Sequence, residues 1–96
     1  MITSTSNPHI KAIRKLADPK GRAVAGTFLA EGLRVVGQAL DSDADIREVI
    51  FSEELLVSNY GRDILRILTP KPGVEITEVN REVFESLARK EKPQGI

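Results

Sequence analysis

Ile46-Arg47-Glu48-Val49-Ile50-Phe51-Ser52 is the stretch on which the fold turns. Its apolar centre is continuous, with Val49 and Phe51 on one face and Ile50 on the other, as in a central strand covered on both sides. Farther on, Val74-Glu75-Ile76-Thr77-Glu78-Val79 alternates strictly, the pattern of a half-buried strand. Between the two, residues 53–68 carry Leu55, Leu56, Ile64, Leu65 and Leu68, interrupted by Ser58-Asn59-Tyr60-Gly61, which predicts a short turn and then a helix. Thr69-Pro70-Lys71-Pro72-Gly73 stops that helix. Glu53-Glu54 reads as a solvated helix start, where the helix dipole favours carboxylates.

Outward toward the amino end, Thr27-Phe28-Leu29-Ala30, bounded by Gly26 and Gly32, predicts a short buried strand leading into a helix with Leu33, Val36 and Leu40 inside. Gly37 within that helix forgoes about 1 kcal/mol relative to alanine and suggests close approach of another element. Earlier still, Asn7 reads as an N-cap and Pro8 suits a first helical turn. Ile10, Ile13, Leu16 and Ala17 fill an arc of about 120° on the wheel, which predicts a helix over 8–17 with Lys11, Arg14 and Lys15 opposite its buried face. Asp18-Pro19-Lys20-Gly21 then reads as a turn, opening a mobile loop. Toward the carboxyl end, Asn80 caps a last helix with Val83, Phe84, Leu87 and Ala88 inside, and Lys92-Pro93-Gln94-Gly95 reads as a turn. Helices and strands therefore alternate, which predicts an α/β fold: a three-layer α/β/α sandwich around a small, mainly parallel sheet.

The chain has 96 residues, 14 Lys plus Arg against 14 Asp plus Glu, and no cysteine. One domain is expected. Disulfides, thiolate catalysis and cysteine-ligated zinc are excluded, and the single His9 by itself does not make a transition-metal site, so no metal is expected. No apolar run approaches the roughly 20 residues that span a bilayer, and the polar start Met1-Ile2-Thr3-Ser4-Thr5-Ser6 has no hydrophobic signal core, which reads as cytoplasmic and not membrane-bound.

Net charge zero conceals a division. Residues 1–37 carry Lys11, Arg14, Lys15, Lys20, Arg22 and Arg34 against Asp18 and Glu31, a net +4, and residues 38–96 carry the opposing −4. Clustered cations attract phosphates, so an anionic partner would meet the first third; a plain solvated helix face explains the same residues. Other chemistry is weaker. Gly21-Arg22-Ala23-Val24-Ala25-Gly26-Thr27 has the spacing of a phosphate-binding loop but lacks its lysine and precedes a strand. His9 with Ser6 and Asp18 has no oxyanion hole to make a triad of it. With only Phe28, Phe51, Tyr60 and Phe84 as aromatics, three at expected core positions, a stacking platform for bases is not foreseen, and backbone and shape recognition remain.

Three segments resemble the N-terminal substrate-binding domain of the SpoU/TrmH family of RNA ribose 2′-O-methyltransferases: Ile2-Thr3-Ser4 with Asn7-Pro8, Lys11, Leu16, Lys20 and Arg22; Phe28-Leu29-Ala30-Glu31-Gly32-Leu33-Arg34; and Pro93-Gln94-Gly95-Ile96. The resemblance implies the fold of kink-turn-binding ribosomal proteins. It implies an RNA substrate-binding domain over 1–92 for ribosomal or transfer RNA, with 93–96 beginning a linker to a SPOUT-type catalytic domain. S-adenosylmethionine and homodimerisation would belong to the full-length enzyme, with no catalytic, cofactor or metal residue within 1–96. The RNA-facing set is expected to be Asn7, Lys11, Arg14, Lys15, Lys20, Arg22 and Arg34. Phe28, Glu31, Gly32, Pro93, Gln94 and Gly95 form the structural motif, in which Glu31-Gly32 makes a tight corner before a helix. Ala30 and Gly37-Gln38 depart from the family's usual residues and blur the subfamily. The alternatives are an autonomous RNA-binding module of the ribosomal-protein type without enzymatic activity, and a protein-interaction domain using the acidic half.

Overall fold

A computed structural model of the chain describes residues 1–88 and 95; the expected Pro93-Gln94 turn lies outside these. The element order is α1 (Pro8–Arg14), a 3₁₀ turn (Lys15–Ala17), α2 (Pro19–Ala25), α3 (Leu33–Asp41), β1 (Glu48–Phe51), α4 (Asn59–Leu68), β2 (Glu75–Glu78) and α5 (Arg81–Leu87). The protein is thus a small α/β domain with five helices and a two-stranded parallel sheet.

The two strands pair in the register Glu48–Glu75, Val49–Ile76, Ile50–Thr77 and Phe51–Glu78, with α4 as their crossover. A single parallel bridge from Ile2 to Val79 extends the far edge of β2: the Ile2 amide donates to Glu78 O (2.9 Å) and the Asn80 amide to Ile2 O (3.1 Å). Each sheet face has its own core. Val49, Phe51, Leu56, Ile64 and Leu68 cluster on one side, with Leu33, Val36 and Leu40 of α3 against them. Ile10, Ile13, Val79, Val83 and Phe84 cluster on the other, with Ile50 and Leu29 against them. The alternation of Val49, Ile50 and Phe51 thus feeds two helical layers, α3 and α4 on one face, α1 and α5 on the other.

Four local expectations are corrected. The helix foreseen over 8–17 ends at Arg14 and tightens into the 3₁₀ turn, which keeps Leu16 and Ala17 half-buried. Asp18-Pro19 opens a helix rather than a turn, because the same pair is also cap and first-turn chemistry: the Asp18 carboxylate accepts from the Lys20 amide, Pro19 sits at the start, and Gly26 ends α2 at φ +71°. Glu53-Glu54 lies in a turn, since α4 is capped later by Ser58, whose hydroxyl accepts from the Gly61 amide.

The fourth concerns Thr27–Ala30, which forms no strand. Phe28 is 77% exposed rather than buried. An open groove of about 560 Å³, lined by Leu29, Ile50, Phe84 and Leu87 among others, separates this segment from the sheet. With no strand of the described residues to pair with, the segment stays irregular near the surface.

Two close approaches match their sequence reading or explain a motif. Gly37 of α3 leaves just the space that the Tyr60 hydroxyl of α4 fills, and a β-carbon there would collide with it. Gly95 is buried at φ +87°, its carbonyl accepts from the Ser52 amide (3.0 Å), and a β-carbon would strike the Leu55–Leu56 backbone.

Candidate nucleic-acid interface

The cations of the first third divide by what holds them. Arg14 is half-buried and donates to Thr5 O (3.1 Å) and Ser86 Oγ (3.0 Å), tying α1 to the amino end and to α5. Arg22 turns back and donates to Leu16 O (3.1 Å) and Ala17 O (3.2 Å), carbonyls at the end of the first helical stretch. Both guanidiniums therefore have structural work. Lys11, Lys15 and Lys20 are exposed, and no ion pair among the described residues includes any of them.

The backbone places these three lysines on consecutive elements. α1 runs directly into the 3₁₀ turn, and α2 packs back on that turn. Asn7 stands at the start of the same stretch, its side-chain oxygen accepting from the His9 amide (2.9 Å) and the Ile10 amide (3.4 Å). Arg34 is exposed as well, but it belongs to α3, which packs with α4 on the opposite sheet face from α1. The structure therefore joins Lys11, Lys15 and Lys20 in one supersecondary unit and sets Arg34 in the other layer.

Of the structural-motif residues, Phe28, Glu31 and Gly32 lie just ahead of α3, and Gly95 lies against the turn after β1. Gly32 is buried and precedes α3 at φ +95°, a backbone conformation costly for any residue with a β-carbon. Glu31 beside it is half-buried and lines the groove along with Phe28. Among the described residues the groove is lined by the carboxylates Glu31, Asp45 and Glu48 and by Arg47, and Lys11, Lys15 and Lys20 do not border it.

A second constellation was not foreseen. His9 Nε2 lies 2.7 Å from Glu48 Oε2, the Thr77 hydroxyl donates to the same oxygen, and the Glu75 carboxylate stands alongside. The hydrogen bond that the His9 imidazole donates to the Glu48 carboxylate holds the ring above its ordinary pKa of 6.5; partial desolvation opposes this, and the charges of Glu48 and Glu75 reinforce it. Sequence separations of 39 and 29 residues hid this cluster. The available signal was the parallel register, which puts Glu48 beside Glu75 and on the same face as Ile50 and Thr77.

A parallel sheet with helices packed against both faces, and exposed lysines along its amino-terminal helices that no ion pair among the described residues includes, defines the class: a small α/β domain with a cationic amino-terminal surface. The chain belongs to the MRM3-like substrate binding domain family, whose description it matches over residues 7–96. It is 27% identical over 95 residues to the 23S rRNA (guanosine(2553)-2′-O)-methyltransferase RlmP of Bacillus subtilis (strain 168), covering 99% of this chain and 35% of that protein. Among solved structures it superposes on an RNA 2′-O ribose methyltransferase with a TM-score of 0.85 at 29% identity, covering 98% of this chain and 34% of the other. It likewise superposes on an rRNA methyltransferase from Sinorhizobium meliloti with a TM-score of 0.76 at 30% identity, covering 98% and 33%. The chain spans about a third of the length of each of these relatives. No helix among the described residues is long and apolar enough to cross a membrane.

Proposed function

We propose that this domain recognises the RNA substrate of an S-adenosylmethionine-dependent ribosomal RNA ribose 2′-O-methyltransferase. Lys11, Lys15 and Lys20 grip phosphates and so deliver a ribose 2′-hydroxyl to a methyl-transfer site in a further domain. The observation that carries this reading is that, in a domain of the substrate-binding family, these lysines have no carboxylate partner among the described residues. Ion pairing within the protein would have consumed the attraction that an RNA backbone exploits. Arg14 and Arg22 hold the scaffold, Asn7 fixes the start of α1, and Arg34 contributes at most from a separate face.

Helical layers on both sides of the sheet support the finer fold assignment, a three-layer sandwich of the kind found in kink-turn-binding ribosomal proteins. Such a domain reads backbone and shape, which suits structured ribosomal RNA. The length and printed names of the relatives support a further, methyl-transfer domain with its own cofactor; a homodimer working in the cytoplasm belongs to the same reading as what the family resemblance implies.

Charge reversal tests the proposal. Lys11→Glu, Lys15→Glu and Lys20→Glu together lower affinity for a 23S rRNA fragment by at least tenfold in a filter-binding assay, with the circular dichroism spectrum unchanged. Undiminished affinity in the folded triple variant refutes the assignment.

A further inference from the structure

Glu48 and Glu75 are register partners on adjacent parallel strands, so their carboxylates leave the same face of the sheet side by side. Like charges in that position repel and weaken a sheet unless a cation lies between them. Here the imidazole of His9 reaches down from the first turn of α1, and one donor atom from each of His9, Glu48 and Glu75 lies within 4.8 Å of the others. Three separate elements thus converge on one point, each fixed by regular backbone. Thr77, nearly buried, donates its hydroxyl to Glu48 and sets the direction of that carboxylate. An outer-shell hydrogen bond of this kind is how proteins orient a ligating carboxylate.

We propose that His9, Glu48 and Glu75 form a binding site for a divalent transition-metal cation of the Zn²⁺ or Mn²⁺ class, which staples α1 to both strands. One imidazole nitrogen and two carboxylate oxygens are borderline donors that favour such ions over Ca²⁺ or Mg²⁺, which take oxygen ligands. Bonds of about 2.0–2.2 Å in a tetrahedron put ligand atoms about 3.4 Å apart. The His9–Glu48 pair at 2.7 Å has to open slightly to reach that spacing, a side-chain rotation that leaves the backbone in place. Three protein ligands leave one position for water. The site lies beside the lysine-bearing helix but does not depend on RNA binding, so either reading stands or falls alone.

Because His9 is the only histidine, its imidazole resonances report binding without ambiguity. Titration of the wild-type chain with ZnCl₂, followed by calorimetry and by NMR of that ring, is expected to give one saturable site of micromolar affinity. The Nε2 resonance should shift in step with the heat. His9→Gln and Glu75→Gln each weaken binding at least tenfold, while Glu53→Gln, in a remote turn, leaves it unchanged. Zn²⁺ also raises the Tm of the wild-type chain and not that of His9→Gln. A ring that fails to respond to millimolar Zn²⁺, or an affinity indifferent to both substitutions in folded protein, overturns the proposal. The wild-type NMR titration keeps the test decisive whether or not either variant folds.

Discussion

The segment from Lys15 to Phe28 and the remainder of the chain obey different physics. Among the described residues the buried apolar side chains are Ile10, Ile13 and those within residues 49–84, with Leu29, Leu33, Val36 and Leu40 packed against them, whereas residues 15–28 add none. In that segment Val24 and Phe28 are 84% and 77% exposed, and α2 is held by a carboxylate cap and by a guanidinium on two carbonyls. One region is stabilised by burial of apolar surface, the other by local hydrogen bonds that water competes for. The lesson is that the lysines Lys15 and Lys20 ride on a lightly anchored unit docked against a firm one. A surface that adapts to a partner is drawn from the weakly held parts of a fold.

The largest effects should fall in the firm region. Leu68→Ala, at a fully buried site beneath the sheet, is expected to cost about 2–5 kcal/mol in urea denaturation, whereas Phe28→Ser is expected to stay within about 0.5 kcal/mol. Equal losses at the two positions would break the comparison. Next in size is Gly95→Ala, expected to cost about 1–3 kcal/mol by forcing a β-carbon into the turn after β1, measured in the same way. A smaller effect separates the cations: Arg22→Gln should lose about 1 kcal/mol through its hydrogen bonds to Leu16 and Ala17, and Lys20→Gln should lose nothing measurable.

The smallest effect is a pH dependence in the metal-free chain with chelator present. His9 has a higher pKa folded than unfolded, so its contribution to stability is complete below about pH 6.5 and is lost as pH rises through the folded pKa. Tm measured from pH 5.5 to 8.5 should show this decline in the wild type and not in His9→Gln. Identical profiles would show that the contact with Glu48 contributes nothing to folding.

Much of the firm region was legible from periodicity. The two-faced reading of Val49, Ile50 and Phe51, the alternation ending at Val79 and the cap at Asn80 all stand, because burial dictated those patterns. Gly37 announced the approach of Tyr60 for a similar reason: glycine within a helix has a cost that packing must repay. The lightly anchored region was harder to read. Asp18-Pro19 suits a turn and a helix start equally well, and α2 packing on the 3₁₀ turn decided between them. Thr27–Ala30 has strand composition, yet a strand exists only if an edge receives it. The cations were visible as a cluster, but nothing in their spacing distinguished Arg14 and Arg22, whose guanidiniums reach carbonyls, from the three exposed lysines. His9, Glu48 and Glu75 were invisible as a group because only strand register unites them.

The central claim is that Lys11, Lys15 and Lys20 meet RNA phosphates, and it is tested most directly by the salt dependence of binding to a 23S rRNA fragment. In a plot of log affinity against log salt concentration, replacing the three lysines with glutamine should reduce the slope by about 2–3, close to one for each phosphate that is no longer neutralised. A triple variant whose slope matches the wild type would place the RNA on another surface and contradict the account.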